Sequence, residues 1–303
     1  MDQPARARFG YTVFNLTIDE QIELAVLAEQ LGFNAAWFGE HIVMPYGVTS
    51  IYSHDEDKDP TKATNLPRSI YDVDTRLYDL IALTAAAARA TERIKIITGI
   101  YLATLRHPLM TARSIATLNE LSKGRFQLGV GAGWNQAEIE ILGGSFADRG
   151  GILDEVVEIL RLAMRGGPFE YHGRHFDFGP VQVSQLPFTV PILFGGHSAP
   201  ALRRTARLGD GWVSSISNDP DGLLAVARKI DALRDEMGTA NRPFDHWIKV
   251  NTHDRGEIDR LQNLGARNFV VYGDQLWGPG EVPFETRRER LRQVAEALGI
   301  SRD

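Results

Sequence analysis

The chain has 303 residues, 43% of them hydrophobic, with no cysteine and a formal net charge of −6. That acidic balance argues against nucleic-acid or anionic-membrane partners, and the missing thiols exclude disulfides, thiolate metal sites and a cysteine nucleophile. No apolar run approaches the ~18 residues of a membrane span, and the polar start with Arg6 and Arg8 has no apolar stretch behind it, so a cytoplasmic protein without a signal peptide is expected.

Taken in chain order, a first strand is expected near 9–14. Thr17-Ile18-Asp19-Glu20 then forms a capping box that opens a helix running to Leu31. Leu31-Gly32 closes that helix before a strand at 34–38. The same helix-to-strand joint returns as Leu121-Ser122-Lys123-Gly124, Leu208-Gly209 and Leu264-Gly265, with glycine expected in the left-handed conformation. Ala90-Thr91-Glu92-Arg93 has the same shape without the glycine. Pro108 suits the first turn of a helix. The remaining strands are expected at 94–99, 125–131, 191–195, 211–215, 247–251 and 268–272, several as near-continuous apolar runs typical of parallel strands covered by helices.

Eight strands alternating with helices, in one domain spanning 1–303, fit either a closed (β/α)8 TIM barrel or a doubly wound open sheet. The barrel is preferred, because the count is eight and no dinucleotide fingerprint follows the first strand. Two insertions interrupt the rhythm. Residues 42–76, after the second strand, are polar and include the acidic run 53–59; residues 166–190 are aromatic and glycine-rich. Both read as long loops, the kind used as lids or binding loops.

Several residues could carry chemistry. His41 follows the second strand, where barrel enzymes place reactive groups, and could meet a cofactor ring or move a proton; the alternative is a loop histidine bonded to its own backbone. Gly129, Gly131, Ala132, Gly133 and Trp134 follow the fourth strand. Glycines there would let a flat ligand approach the backbone, or would simply make a tight turn. Gly195-Gly196-His197-Ser198 ends a strand and opens a helix with Ser198 as N-cap, an arrangement that aims N–H groups and the positive dipole end at an anion. Arg106 is read first as a loop anchor. The acidic run is read as a solvated lid in preference to a cation site. No serine-hydrolase elbow, P-loop or zinc-binding H-E-x-x-H is present.

With these segments in place, the chain resembles the luciferase-like family of flavin- and deazaflavin-dependent oxidoreductases and monooxygenases. The likeness rests on Leu31 to His41, Ala90 to Ile94 with Arg106-His107-Pro108, Gly124 to Trp134, and Gly195 to Ser198 with Leu208 to Trp212. It is nearest to the branch using coenzyme F420. The resemblance implies that Gly195, Gly196, His197 and Ser198 hold the cofactor phosphate, and that Gly131, Ala132 and Gly133 lie on the cofactor. It further implies that His41 stands near the ring, and that a non-prolyl cis peptide at Gly99-Ile100 presses against it. Trp134 occupies the place of the glutamate proton donor of sugar-phosphate dehydrogenases in this family, and the basic residue those enzymes use is missing near Ser217-Asn218. A more apolar substrate is therefore expected. Glu138, on the following helix, could take the acid role only against the expected helical phase.

The leading expectation is F420-linked hydride transfer with a small organic substrate, in a homodimer. The rivals are an FMN monooxygenase fed by a separate flavin reductase, a non-catalytic flavin-binding barrel and an unrelated phosphosugar isomerase.

Overall fold

The computed structural model describes residues 6–13, 15–45, 76–215, 217, 219–272 and 282–301. The acidic run, nearly all of the first insertion and Asn218 lie outside the described residues.

Eight parallel strands close into a ring. They are β1 (Arg8–Val13), β2 (Ala35–Phe38), β3 (Lys95–Thr98), β5 (Phe126–Gly131), β8 (Ile192–Phe194), β9 (Gly211–Val213), β10 (Asp245–Val250) and β11 (Asn268–Val271). Neighbours pair in that order, β11 returns to β1, and β3 pairs with β5 through Ile96↔Phe126 and Ile97↔Gln127. The expected barrel is the observed one. A two-residue strand, β4 (Tyr101–Leu102), re-pairs with β5 after a break at 99–100. The predicted strand 94–99 therefore ends in a bulge. The covering helices are α1 (Ile18–Leu31), α2 (Leu80–Ala90), α3 (Pro108–Leu121), α4 (Gln136–Ile141), α5 (Arg149–Met164), α6 (Ala199–Leu208), α7 (Pro220–Glu236), α8 (Arg255–Asn263) and α9 (Phe284–Ala297). Among the described residues no helix is long and apolar enough to cross a membrane.

The barrel interior is layered. Arg8, Lys95, Asp245 and Asn268 fill the amino-terminal end, where Arg8 pairs with Asp245 and its Nε donates to Asn268 Oδ1 at 2.6 Å. Above them lies a separate apolar cluster of Trp37, Ile97, Leu193, Val213, Trp247 and Val270, with Ile100 packed on it. Gly10 makes this layer possible, since a Cβ there would stand 2.7 Å from Trp37 Nε1. The other faces of the strands meet the helices in one large core.

The helix-to-strand joints hold with one correction. Gly32 (φ 100°) and Gly265 (φ 109°) are left-handed as expected, but Gly209 is extended (φ −83°). Glycine is required at 209 by crowding instead, because a Cβ would meet the Thr205 carbonyl at 2.8 Å and Phe194 at 3.1 Å. The second insertion is also corrected. Its core is an antiparallel hairpin of β6 (Pro168–His172) and β7 (Asp177–Gln182), with Phe169, Tyr171 and Phe178 clustered on one face. The hairpin lies along α5, where Glu155 accepts from the amides of Arg174, His175 and Phe176. Within β7, Gly179-Pro180 interrupts the period-2 alternation.

The joint without a glycine is held by a side chain. Glu29 of α1 accepts from the backbone N–H groups of Glu92, Arg93 and Ile94. Burial acts to raise the Glu29 pKa, but those three amides and the Arg93 charge outweigh it and keep the carboxyl below its ordinary value. A depressed carboxyl stabilises above its unfolded pKa, and the contribution is lost as pH falls through the folded value. Glu29→Gln is therefore expected to lower stability by about 1 kcal/mol at neutral pH. The difference should vanish in acid, as read by urea denaturation across pH.

Candidate active site

The carboxyl ends of β2, β3, β5, β8 and β9 are neighbours in the ring, and the predicted residues sit on them in sequence. Glu40, just past β2, is buried. It accepts from Arg106 Nη1 at 3.0 Å, Arg106 Nη2 at 2.7 Å and the Leu102 amide at 2.9 Å. The Arg106 guanidinium stacks on Tyr101, 4.6 Å from the ring centre, and the Tyr101 hydroxyl meets Thr111 Oγ1. Arg106 is thus a loop anchor, and its partner carboxylate fixes the far side of the bulge.

His41 is held from below. Its Nδ1 lies 2.8 Å from Glu138 Oε2, and the other carboxylate oxygen accepts from the amides of Ile42 and Val43 at 2.7 and 3.3 Å. Asn135 caps α4, which places Glu138 in its first turn with a side chain only 2% exposed. The helical phase thus does bring Glu138 to His41: α4 is six residues long, and Glu138 stands in its first turn behind the Asn135 cap. Trp134 packs edge-on against His41, with ring centres 5.6 Å apart.

The peptide bond Gly99-Ile100 is cis. Ile100 projects toward β5 and β8, and the glycines opposite accommodate the bulge. A Cβ on Gly129 would stand 2.0 Å from the Thr98 carbonyl, one on Gly131 2.9 Å from Ile100 Cγ2, and one on Gly195 3.2 Å from Ile100 Cδ1. Gly133 (φ 88°) abuts Ile139 of α4 in the same way. Thr98 Oγ1 completes the fit by donating to the Gly129 carbonyl and accepting from the Gly129 amide. Ala132, between them, accepts through its carbonyl from Thr104 Oγ1.

Beyond β8, the Gly195 amide donates to the Val130 carbonyl, and the exposed turn begins at Gly196 (φ 108°). Ser198 is the N-cap of α6, with Pro200 in the first turn. The His197 side chain is directed back into the fold: its Nε2 accepts from the Ser215 amide at 2.9 Å, and its ring packs on Trp212. What residues 196–199 present outward is backbone and the positive end of a helix.

One further side chain belongs to this mouth. Along Asp245-His246-Trp247-Ile248-Lys249-Val250, Trp247 lies in the interior cluster, so strand alternation turns Lys249 inward one layer higher. Burial pushes its ammonium down to about 8. The signal was legible in the sequence as a lysine on the inward register of an apolar strand.

A family model for luciferase-like monooxygenase matches residues 4–299. The chain belongs to this family. An uncharacterised protein of Mycobacterium tuberculosis is 30% identical over 294 residues, 95% of this chain and 98% of its own. An F420-dependent secondary alcohol dehydrogenase, solved with an F420–acetone adduct, superposes with a TM-score of 0.73 at 18% identity, covering 98% of this chain and 100% of that one. The oxygenating constituent of 3,6-diketocamphane monooxygenase from Pseudomonas putida, in complex with FMN, gives 0.61 at 20% identity, covering 86% and 72%. The last two likenesses show the fold.

Two substitutions test this construction. Arg106→Met is expected to cost about 3–5 kcal/mol, because it strands the Glu40 carboxylate in a buried position. Gly129→Ala should cost about 3 kcal/mol or more, since the clash is with backbone that cannot move alone. Chemical denaturation of each variant, with Gly179→Ala (open space around its Cβ) as control, measures both.

Proposed function

We propose that this protein is an oxidoreductase that uses coenzyme F420 to pass a hydride to or from a small organic substrate held in the barrel mouth. The observation that carries the reading is the unbroken arc of contacts across five adjacent strand ends: Glu40 to Leu102, His41 to Glu138, Ile100 to Gly131 and Gly195, and His197 to Ser215. These residues fit a flat ring with an anionic tail. Ile100 offers an apolar shelf, and the exposed turn opening α6 offers backbone donors and a positive dipole end to a phosphate. Once bound, the cofactor would supply the carbon that exchanges hydride.

The chain's own residues would do the rest. Glu138 would accept a hydrogen bond from His41 Nδ1–H and fix the ring, leaving Nε2 to take or return a proton on a substrate oxygen. Trp134 walls His41 on one side and excludes water from it. Glu40 and Arg106 keep the bulge in register, so that Ile100 holds the shelf in place.

The FMN monooxygenase reading uses the same mouth and is supported by the FMN-bound relative in fold. We favour F420 because the 5,10-methylenetetrahydromethanopterin reductase of Methanopyrus kandleri, 27% identical over 247 residues, is of a kind solved as a coenzyme F420-dependent enzyme.

Titration of tryptophan fluorescence with each cofactor separates the two. Quenching at micromolar F420 with no response to FMN is expected, and the reverse pattern overturns the proposal. With F420 and the substrate, His41→Asn and Glu138→Ala should each lower turnover about 10²-fold while leaving F420 affinity nearly unchanged.

A further inference from the structure

We infer that the mouth takes a substrate bearing a carboxylate or comparable anionic group, held by the Lys249 ammonium on its inner wall. The inference rests on the proposed redox reading only in placing the substrate in this mouth. Lys249 pairs in register with Val270 and follows Trp247 on the inward face, so its stem rises from a floor of Trp37, Trp247, Val213 and Val270.

Among the described residues, no carboxylate partners its ammonium. Asp245, lower on the same inward face, is already paired with Arg8 at the closed end. On the β9 side stand Val213, Ser214 and Ser215; Ser214 Oγ accepts the Lys249 amide, and His197 is tied to Ser215. On the β11 side stand Val270 and, past the strand end, Tyr272. The outer face of β10 meets α7, where His246 pairs with Asp231 away from the mouth. An ammonium desolvated without a counter-ion destabilises the fold, and a purely structural position would carry an apolar residue like its neighbours.

A second observation agrees. Thr12 Oγ1, Trp37 Nε1 and Trp247 Nε1 are all buried in the same interior and have no hydrogen-bond partner among the described residues. Two of these three groups are donors only, as is the ammonium, so the interior is short of acceptors. A carboxylate supplies acceptor lone pairs and the missing charge together. Lys249 is half-buried, and that burial pushes its ammonium down to about 8.

The test uses benzoate and its neutral counterpart benzamide, titrated into the full-length protein while tryptophan fluorescence is followed. Benzoate should bind about tenfold or more tightly than benzamide near pH 7, and the ratio should fall toward one as pH rises through about 8 and the ammonium loses its proton. Lys249→Met should abolish the preference, whereas Lys249→Arg should keep it and remove its pH dependence. Equal affinity in the wild type, or a preference that persists in Lys249→Met, overturns the inference. So does a Lys249→Met variant that weakens F420 binding in place of benzoate binding. F420 titration of the same samples keeps the two ideas separate: F420 bound without a benzoate preference sinks only this inference, and a benzoate preference without F420 binding sinks only the cofactor reading.

Discussion

The Glu40 carboxylate is the contact on which the mouth depends. It joins the end of β2 to the Leu102 amide of β4 and to the guanidinium of Arg106, and it does so where water is excluded. Each of its hydrogen bonds is charge-assisted, and the paired geometry with arginine sets direction as well as strength. With Leu102 fixed, the chain between Thr98 and Tyr101 must bulge inward, and Ile100 reaches across to β5 and β8. Gly129, Gly131 and Gly195 are the consequence, since any side chain there would collide with the bulge.

A gradient of polarity runs along the barrel axis. The amino-terminal end is filled by the Arg8–Asp245 pair, by Asn268, and by Lys95, whose ammonium feels the Asp245 charge. The middle is sealed by Trp37 and Trp247, in edge contact with ring centres 5.5 Å apart. The carboxyl-terminal end has small residues, an exposed helix start and one inward cation without a counter-ion among the described residues. Paired charge stabilises a plug, whereas charge left unmatched in a cavity is a feature that a ligand completes. That contrast separates Lys249 from Arg8, although both sit on inward strand registers.

The resemblance to luciferase-like proteins pointed to residues that the fold brings to adjacent strand ends, but what each of them touches depended on contacts between distant segments. His41 was readable as a residue beyond a strand end. Its partner Glu138 lies 97 positions away, in the first turn of a short helix capped by Asn135. His197 was readable as part of a helix-opening turn, yet its ring faces Ser215 and Trp212, leaving the backbone as the outward surface.

The sequence by itself determined the alternation of eight strands with helices, the capping box at Thr17, the helix starts at Pro108 and Ser198, and the strand ends to within about two residues. These follow from local periodicity and from caps that act within a few residues. Only the tertiary structure decided why Gly209 is glycine, which acid holds His41, that the 166–190 segment pairs as a hairpin, and that Lys249 has no counter-ion among the described residues. Those outcomes depend on which atoms meet across the closed ring, and closure joins residues whose spacing along the chain carries no trace of their distance in space.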